Sequence, residues 1–449
     1  MKRSKNRKKK NSSIGVVITI VLGISAMLFL FVATSNYQDE STNTKEPYDF
    51  SLSVEDKQIV LTYKGPKNAY AIASKSKEVS IDDENWIKAS NRSFSFDLVD
   101  YKEYFFIKYN NEIYEVGDNE DLCYVELSIE NNDHAYLAIG EEYDYKVNYS
   151  VLGYTTKELT WKNYNPEIVS LENGHIIAKE IGEAKIMAYI LNRSAVREIT
   201  VSDLIIKAEL NNDKEWLPCG IYSEEDNDLI DTILETRIAE KGYATRAGVV
   251  EAARFLTLNF PYKIKYAYEW GRQEENKIDG EGRYYLKGLY LDESRFDHLV
   301  GSNVEPQTWG CVIYNTNIKS NSINGLDCSG FVTWAILNGG FDCGDLGAGY
   351  SGVRALPDLG VTKRINDNVL KECKVGDLVH SNYTGGHIGI IIGIDEENNY
   401  YIAEATPKDD VEALVVTKLN EKQLKKTWNE IVLMDTYYLE DGNLTNMWY

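Results

Sequence analysis

Apolar and polar residues alternate in short runs over the first half of the chain, a period of two that is typical of β-strands. Between residues 49 and 120 the runs are separated by turn signals such as Lys64-Gly65-Pro66 and Asn110-Asn111, so we expect a small β-sandwich there. A second set of strand-like runs fills residues 121–205, with Trp161 as a core candidate. The pattern therefore predicts two consecutive all-β modules.

The period becomes helical after Ser223, which is followed by three acidic residues in the manner of a helix start. Apolar residues then recur on one side of this helix: Leu229, Ile230, Ile233, Leu234 and Ile238. A second helical run follows Gly242, from Arg246 to Leu258. We expect both helices to form the N-terminal layer of a C-terminal domain that spans residues 215–449.

A nearly all-round apolar helix is predicted to begin at Cys328. Asp327 is a good N-cap, the next two turns are mostly apolar, and Gly339-Gly340 supplies a stop. Cys328 therefore lies in the first turn, where unpaired N–H groups and the positive end of the helix dipole favour a thiolate. A cysteine in this position is a candidate nucleophile if a base lies nearby.

The candidate base is His387, at the start of a run with strict two-residue alternation. The pattern buries one face, Ile388, Ile390, Ile392 and Ile394, and places His387 on the other with Gly389, Ile391 and Gly393. After a polar turn at residues 395–399 comes a second strand that contains Glu404. An even connecting loop puts Glu404 on the face of His387, where it could orient the imidazole; an odd loop without a bulge puts it on the wrong face.

These blocks carry a family resemblance. Asp327-Cys328-Ser329-Gly330-Phe331, then Gly376-Asp377-Leu378, then Gly386-His387-Ile388-Gly389 and Ala403-Glu404-Ala405 resemble, in order and spacing, the motifs of the NlpC/P60 cell-wall cysteine peptidases. The resemblance covers residues 252–440. The third polar residue of that family is often His, Asn or Gln. The glutamate at this position, Glu404, resembles the residue found there in the related CHAP enzymes. The aromatic-glycine block is best matched near Tyr268, so an insertion at residues 272–324 must loop out before the cysteine.

The resemblance implies a papain-like α+β domain with Cys328, His387 and Glu404 as the catalytic triad and with no metal or organic cofactor. It also suggests that Tyr268, Asp327 and Ser329 bind the free amine of a muropeptide, although Asp327 is first of all a helix cap. Residues 121–205 are similar to bacterial Ig-like group 2 domains, which act as surface spacers or adhesive modules. The fold expected for the whole chain is multidomain: a transmembrane helix, two all-β sandwich modules and the papain-like domain.

The N-terminus predicts export and anchoring. Residues 1–13 form a basic tail, and residues 14–34 are an uncharged apolar run long enough for a single-pass transmembrane helix. The basic flank places the N-terminus in the cytoplasm and the catalytic domain outside the cell. A cleaved signal peptide is the alternative, although no clear cleavage site follows. Residues 35–48 are a polar linker.

Charge excludes one class of partner. Seven of the first ten residues are Lys or Arg, and removing them from the net charge of −22 leaves −29 on the rest of the chain. We do not expect so acidic a protein to bind the negatively charged phosphates of nucleic acid. The expected partners are peptidoglycan and the cell membrane, with possible wall or surface contacts through the β modules.

The five cysteines besides Cys328 lack the regular spacing of a disulfide scaffold. Small core residues are the favoured interpretation for them. Cys311 with Cys343 or Cys373 is the only pairing worth testing.

Together these features predict a membrane-anchored extracellular endopeptidase that hydrolyses peptidoglycan stem peptides. The family points to the bond between γ-D-glutamate and the diamino acid. A CHAP-type N-acetylmuramoyl-L-alanine amidase is the second enzyme candidate. A non-catalytic surface-adhesion protein, in which the sandwiches bind, is the candidate from another class.

Overall fold

The computed structural model describes residues 49–65, 67–130, 132–217, 221–266, 288–291, 307–308, 312–315, 320–323, 326–344, 346–349, 355–382, 386–407 and 412–449. Among these residues there is no helix with the length and apolar character needed to cross a membrane. The apolar run at residues 14–34 and most of the predicted insertion at 272–324 lie outside the described ranges, so both stay predictions.

The first module is a β-sandwich of seven strands. Its strands are β1 Phe50–Glu55, β2 Gln58–Tyr63, β3 Tyr70–Ser74, β4 Ile87–Lys88, β5 Ser93–Asp97, β6 Tyr104–Tyr109 and β7 Glu112–Asp118. One sheet has the order β1-β2-β5 and the other β4-β3-β6-β7. Apolar residues of both sheets, among them Leu61, Phe94 and Phe105, share one buried core. The alternation along the sequence produces this arrangement because every second residue points inward.

The second module contains nine strands. They are β8 Cys123–Ile129, β9 His134–Ala138, β10 Glu142–Asp144, β11 Val147–Gly153, β12 Thr160–Asn163, β13 Val169–Glu172, β14 His175–Ala178, β15 Gly182–Ile190 and β16 Arg193–Ser202. The sheets have the orders β12-β15-β16-β9, β10-β14-β13 and β11-β8, and β16 pairs with β9 in parallel. Trp161 packs against their shared core, as predicted.

Two helices open the C-terminal part. Helix α1, Glu224–Lys241, begins with a capping box in which Ser223 Oγ accepts from Asp226 N (3.1 Å) and Asp226 Oδ2 accepts from Ser223 N (2.9 Å). Helix α2, Arg246–Arg254, runs on into a π-helical turn, Phe255–Asn259. The Lys214 ammonium donates to the carbonyls of Thr257, Leu258 and Phe260, which satisfies groups that the helix end leaves open.

The C-terminal sheet is antiparallel and six-stranded, with the order β21-β26-β22-β23-β24-β25. Its strands are β21 Val361–Arg364, β22 Leu378–Ser381, β23 His387–Ile394, β24 Asn399–Thr406, β25 Ala413–Asn420 and β26 Glu430–Leu433. Four short strands precede it, β17 Tyr290–Leu291, β18 Gln307–Thr308, β19 Val312–Asn315 and β20 Ser320–Ile323. The other helices of the described ranges are α3 Cys328–Asn338, α4 Asp367–Glu372 and α5 Glu421–Thr427, with a 3-10 turn at Leu356–Leu359.

The sheet has a core on each face. Helices α2 and α3 pack against β23, and the core on that side includes Ile388, Ile390 and Ala403. Helix α5 packs on β24 and β25 over the other face, where Ile391, Ile402 and Trp428 are buried. This architecture accommodates the predicted α+β domain, and its papain-like assignment stays a prediction.

A buried arginine ties the layers together. Arg246 is fully buried and donates to Asp377 Oδ1 (2.7 Å), Asp435 Oδ1 (2.5 Å) and Asp441 Oδ1 (3.1 Å). Asp377 also accepts from the backbone N–H of Met434 (2.9 Å) and Lys374 (2.8 Å). The aspartate of the Gly-Asp-Leu block therefore joins α2, β22 and the chain after β26, and its role is structural.

Candidate active site

The predicted cysteine helix is confirmed. Helix α3 begins at Cys328, its N-cap is Asp327, and it ends at Asn338 before Gly339. Asp327 Oδ1 accepts from the Gly330 N–H at 2.7 Å, so the cap satisfies one of the first-turn donors. Cys328 is 8% exposed. The thiol therefore lies in the helix turn where backbone dipoles favour a negative charge.

Gly339 has a packing reason as well as a capping one. A Cβ at this position would lie 2.5 Å from Val249 Cγ2 and 2.6 Å from Val249 Cα. Only glycine allows the end of α3 to approach α2 this closely. The contact fixes the cysteine helix against the rest of the helical layer.

His387 and Glu404 are brought together. His387 is the first residue of β23, Glu404 lies on the neighbouring β24, and His387 Nε2 is 2.6 Å from Glu404 Oε2. Glu404 is 5% exposed, and its other oxygen accepts from Thr417 Oγ1 at 2.9 Å. An ionised carboxylate only accepts, so Nε2 carries the hydrogen and Nδ1 is left as the basic nitrogen.

A β-bulge sets this pairing. Five residues, 395 to 399, separate the paired residues Ile394 and Tyr400, so the loop is odd. The register then shifts between Ile391 and Gly393, and beyond the shift Ile390 pairs with Ala403. Continued pairing therefore places Gly389 opposite Glu404, on the face of His387. The extra residue of the bulge corrects the face that the odd loop would have reversed.

The bulge also corrects one sequence prediction. Strict alternation placed Ile394 on the same face as Ile388, Ile390 and Ile392. In the structure the first three pack in the core on the α3 side, whereas Ile394 packs against the core around Ile391 on the opposite face. One inserted residue moves every later side chain to the other face, and hydrophobic periodicity does not reveal the insertion because both faces are apolar.

Trp428 is a site residue that sequence reasoning missed. Its ring stacks on the His387 imidazole with 5.1 Å between ring centroids and an interplanar angle of 12°. Trp428 is fully buried and follows α5 directly. The indole face holds the imidazole plane in place and favours a positive charge on it. Its distance of 41 positions from His387 gave no signal that could have identified it.

The structure does not show Cys328 and His387 in contact. Helix α3 packs against the face of β23 and β24 that carries Ile388, Ile390 and Ala403, whereas His387 stacks on Trp428 over the opposite face. Within the part of the chain that the structure describes, no hydrogen bond joins the Cys328 thiol to the His387 ring. Contacts of this kind often tighten only when a substrate is bound.

The three predicted substrate-binding residues divide into two groups. Ser329 and Asp327 are both buried, and Ser329 Oγ donates to Asp327 Oδ1 at 2.9 Å. Their described contacts are therefore those of a helix cap, and an amine-binding role stays a prediction. Tyr268 lies outside the described residues.

A second histidine pair belongs to the other face of the sheet. His380 Nδ1 is 2.7 Å from Glu430 Oε2, and His380 pairs with Ile388 in the ladder. Since neighbours on one strand alternate, His380 and His387 occupy opposite faces. His380 is not placed to share the Glu404 carboxylate.

Within the described ranges, no group of three or more His, Cys, Asp or Glu side chains is arranged to hold a metal ion. Cys123 and Cys343 are buried and Cys373 is partly buried. Cys219 and Cys311 lie outside the described residues, so the pairing proposed for Cys311 stays a prediction.

No protein-family model and no curated protein matches this chain. Among solved structures, a C-terminal fragment of intimin in complex with the intimin-binding domain of its translocated receptor aligns over 44% of this chain and 79% of its own, with 15% identity and a TM-score of 0.24. Domains 4 and 5 of the S-layer protein SbsC align over 24% of this chain and 68% of their own, with 14% identity and a TM-score of 0.16.

The N-terminal eight Ig domains of Down Syndrome Cell Adhesion Molecule align over 34% of this chain and 24% of their own, with 13% identity and a TM-score of 0.20. None of these structures points to the NlpC/P60 family. At such TM-scores they add nothing to what the strands of this chain already show, which is a pair of β-sandwich modules.

Proposed function

We propose that this chain is a cysteine peptidase that hydrolyses peptide bonds of peptidoglycan. The observation that carries the proposal is the hydrogen-bonded pair of the partly buried His387 and the buried Glu404, at 2.6 Å on two adjacent strands, β23 and β24, of the sheet against which the helix that begins at Cys328 packs. A nucleophile, a base and a group that orients the base are the parts that recur in Cys-His catalysis on unrelated folds.

Each residue has a defined role in the proposed reaction. His387 Nδ1 takes the thiol proton, and Cys328 Sγ attacks the peptide carbonyl while a backbone N–H at the helix start donates to the oxyanion. The amine leaves with the proton from His387, and a thioester remains on Cys328. Water then gives a proton to His387 and attacks the thioester, which releases the acid and restores the thiol. Glu404 holds the imidazole in the required tautomer throughout.

The substrate is inferred from the resemblance of the motif blocks to NlpC/P60 peptidases. It suggests the bond between γ-D-glutamate and the diamino acid of the stem peptide. A CHAP-type amidase would use the same three residues on the bond between the lactyl group of the sugar and L-alanine. The reason for considering this alternative is Glu404, because a glutamate at this position resembles the CHAP enzymes.

Digestion of purified peptidoglycan by the full chain distinguishes the two enzymes. A peptidase leaves a new amino group on the diamino acid, whereas an amidase leaves one on L-alanine, and mass spectrometry of the released fragments identifies each terminus. We expect the first product and its loss in Cys328→Ala. Release of L-alanine termini alone would assign the amidase instead.

A surface-adhesion protein without catalysis is the second candidate. The two β-sandwich modules favour it, and the part of the fold that is shown supports adhesion more directly than it supports a peptidase. Cosedimentation with cell walls separates the two candidates. Binding that persists in Cys328→Ala, together with no release of fragments by the unaltered chain, would establish adhesion and exclude the peptidase.

We also propose that residues 14–34 anchor the protein in the cell membrane with the rest of the chain outside. The apolar run and its basic flank support this topology. The full-length chain should stay with membranes after a carbonate wash. A soluble form that begins shortly after residue 34 would identify a cleaved signal instead.

A further inference from the structure

Strand β11 forms an open edge of the second module. It pairs antiparallel with β8 along its whole length, and β8 is the only described strand that pairs with it. Tyr149 is 50% exposed and Leu152 is 45% exposed. The backbone groups on the other side of β11 are therefore open to pairing with another extended chain.

This edge lacks the features by which proteins usually prevent such pairing. Edge strands are commonly protected by charged side chains, by proline or by a β-bulge. The sequence of β11, Val-Asn-Tyr-Ser-Val-Leu-Gly, contains no charged residue and no proline. Its pairing with β8 runs without a register shift, so no bulge bends the edge away.

The other edge strands of the two modules are protected. Strand β9 packs against α1 and is mostly buried. Each remaining edge strand of the modules contains at least one charged residue, for example Lys88 of β4, Asp97 of β5, Glu142 of β10 and Glu172 of β13. Strand β11 is therefore an exception within the same pair of sandwiches.

Two observations favour a second copy of this chain as the partner. When a strand pairs with itself, a charged residue near its middle meets a like charge, which is destabilising, and β11 has no such residue. The chain also has a net charge of −22, so two copies repel each other in general. An uncharged edge is a place where two copies can approach without adding to that repulsion.

We propose that β11 pairs antiparallel with β11 of a second copy about a twofold axis at Ser150. Each Ser150 then faces its counterpart, each Tyr149 faces a Val151, and each Asn148 faces a Leu152. This register pairs all seven residues of the strand, and it places an aromatic ring beside a β-branched side chain. The two β8–β11 pairs become one four-stranded sheet with an interface of the same strand from both copies.

The pairing should be weak in dilute solution. Stable interfaces use about 20–30 residues a side, whereas β11 offers seven. Two chains anchored in one membrane, the topology proposed above, would meet at a higher local concentration. A covalent trap captures a weak pair whether or not the chain is anchored, and the proposal does not depend on the peptidase activity.

Disulfide trapping of the full chain in detergent tests the pairing. Opposite residues of an antiparallel pair have Cα atoms about 4.5–5.5 Å apart, a separation that a disulfide can span. With copper phenanthroline as the oxidant, we expect Ser150→Cys to give a covalent dimer. Asn148→Cys and Leu152→Cys should each give none alone and a dimer when they are mixed.

Ser128→Cys is the matched control because Ser128 is also an exposed serine, and it lies on β8, one strand away from the edge. It should give no more dimer than the unaltered chain, which measures the background from the native cysteines. Circular dichroism shows that each variant is folded.

Exchange of charge at Ser150 tests whether the partner is a second copy. The unaltered chain should form a dimer at high concentration in sedimentation equilibrium. Ser150→Lys or Ser150→Glu alone places like charges opposite each other, so each should weaken the dimer by about two- to fivefold. An equimolar mixture of the two variants should restore it, and Ser128→Lys should leave it unchanged.

Equal trapping of Ser150→Cys and Ser128→Cys would overturn the proposal, as would a dimer that Ser150→Lys does not weaken. A trapped dimer from Asn148→Cys alone would indicate parallel strands and contradict the proposed axis. A chain that stays monomeric at every concentration and gives no trapped dimer would exclude a second copy as the partner.

Discussion

Glu404 is the residue on which the proposed chemistry depends after the nucleophile itself. Its two oxygens are both used, one by His387 and one by Thr417, and it is almost completely buried. A carboxylate fixed in this way can orient only one imidazole. The His380–Glu430 pair is also a histidine and a glutamate but lies on the other face of the sheet. A substitution of Glu430 is therefore a control for the same substitution of Glu404.

We expect Glu404→Ala to lower the rate of wall hydrolysis by about 10²–10⁴-fold, the usual contribution of acid–base catalysis. Glu404→Gln should fall between Ala and the unaltered protein because its carbonyl can still accept from Nε2 but carries no charge. Rates come from the release of soluble fragments. Glu430→Gln should leave the rate near its original value. Equal, near-original rates for both Glu404 variants would mean that another residue orients His387.

Cys328 should be the thiol among those described that reacts with iodoacetamide near neutral pH. Burial raises the pKa of the Cys123 thiol to about 11 and that of Cys373 well above its usual value, so neither forms much thiolate. Peptide mapping of the alkylated full chain measures each site separately. Modification of Cys123 or Cys373 at a rate equal to that of Cys328 would show that Cys328 is not activated.

At the scale of elements, the site depends on how β23 and β24 pair. The bulge in β23 puts Glu404 on the face of His387, and Gly389 lets the two strands lie close together. A Cβ on Gly389 would lie 2.9 Å from Ile402 Cγ2, 3.0 Å from the Ala403 carbonyl and 3.3 Å from Glu404 Cβ. The missing side chain is what lets β24 bring Glu404 close to the strand of His387. The space beside His387 that Gly389 leaves is therefore filled by the neighbouring strand β24.

Gly389→Ala should therefore lower both stability and activity. Overpacking of this kind typically lowers the free energy of unfolding by about 1–3 kcal/mol. A shifted β24 would also lengthen the hydrogen bond between His387 and Glu404. Urea denaturation and wall hydrolysis measure the two effects. Gly347→Ala is the control because no atom of the described residues lies within 4 Å of its added Cβ. Similar behaviour of the two variants would show that the strands are not held as closely as described.

The local elements could be predicted from the sequence, and their pairing only in part. Asp327 and Gly339 define the ends of α3 because caps are local features, and the alternation after His387 defines β23. The face of Glu404 depended on a bulge that periodicity does not encode. Trp428 and Arg246 act over contacts far along the chain, so only the folded structure reveals them.

At the scale of the whole molecule, the second module is held against the helical layer by a partly shielded ion pair. Arg237 and Glu141 are each 13% exposed in their side chains, and Asn259 Nδ2 also donates to Glu141 at 3.3 Å. The same glutamate accepts from the Ala138 N–H at 2.8 Å. One carboxylate thus joins β9, α1 and the turn after α2.

Glu141→Ala should destabilise the chain because it leaves Arg237 buried without its partner. Removing one member of a buried pair costs about 3–5 kcal/mol. Lys185→Ala removes one member of an exposed pair with Glu198, for which about 0–1 kcal/mol is expected. Urea denaturation of the full chain, monitored by tryptophan fluorescence, compares the stabilities of the two variants. A loss in Glu141→Ala no larger than that of the control would mean that the module is not held at this contact.

The most direct test of the central claim is the digestion of purified peptidoglycan by the full chain and by Cys328→Ala, with circular dichroism to show that both are folded. The account predicts soluble fragments with new amino groups on the diamino acid from the unaltered chain and none from the variant. Undiminished digestion by folded Cys328→Ala, or no digestion by either protein, would contradict it.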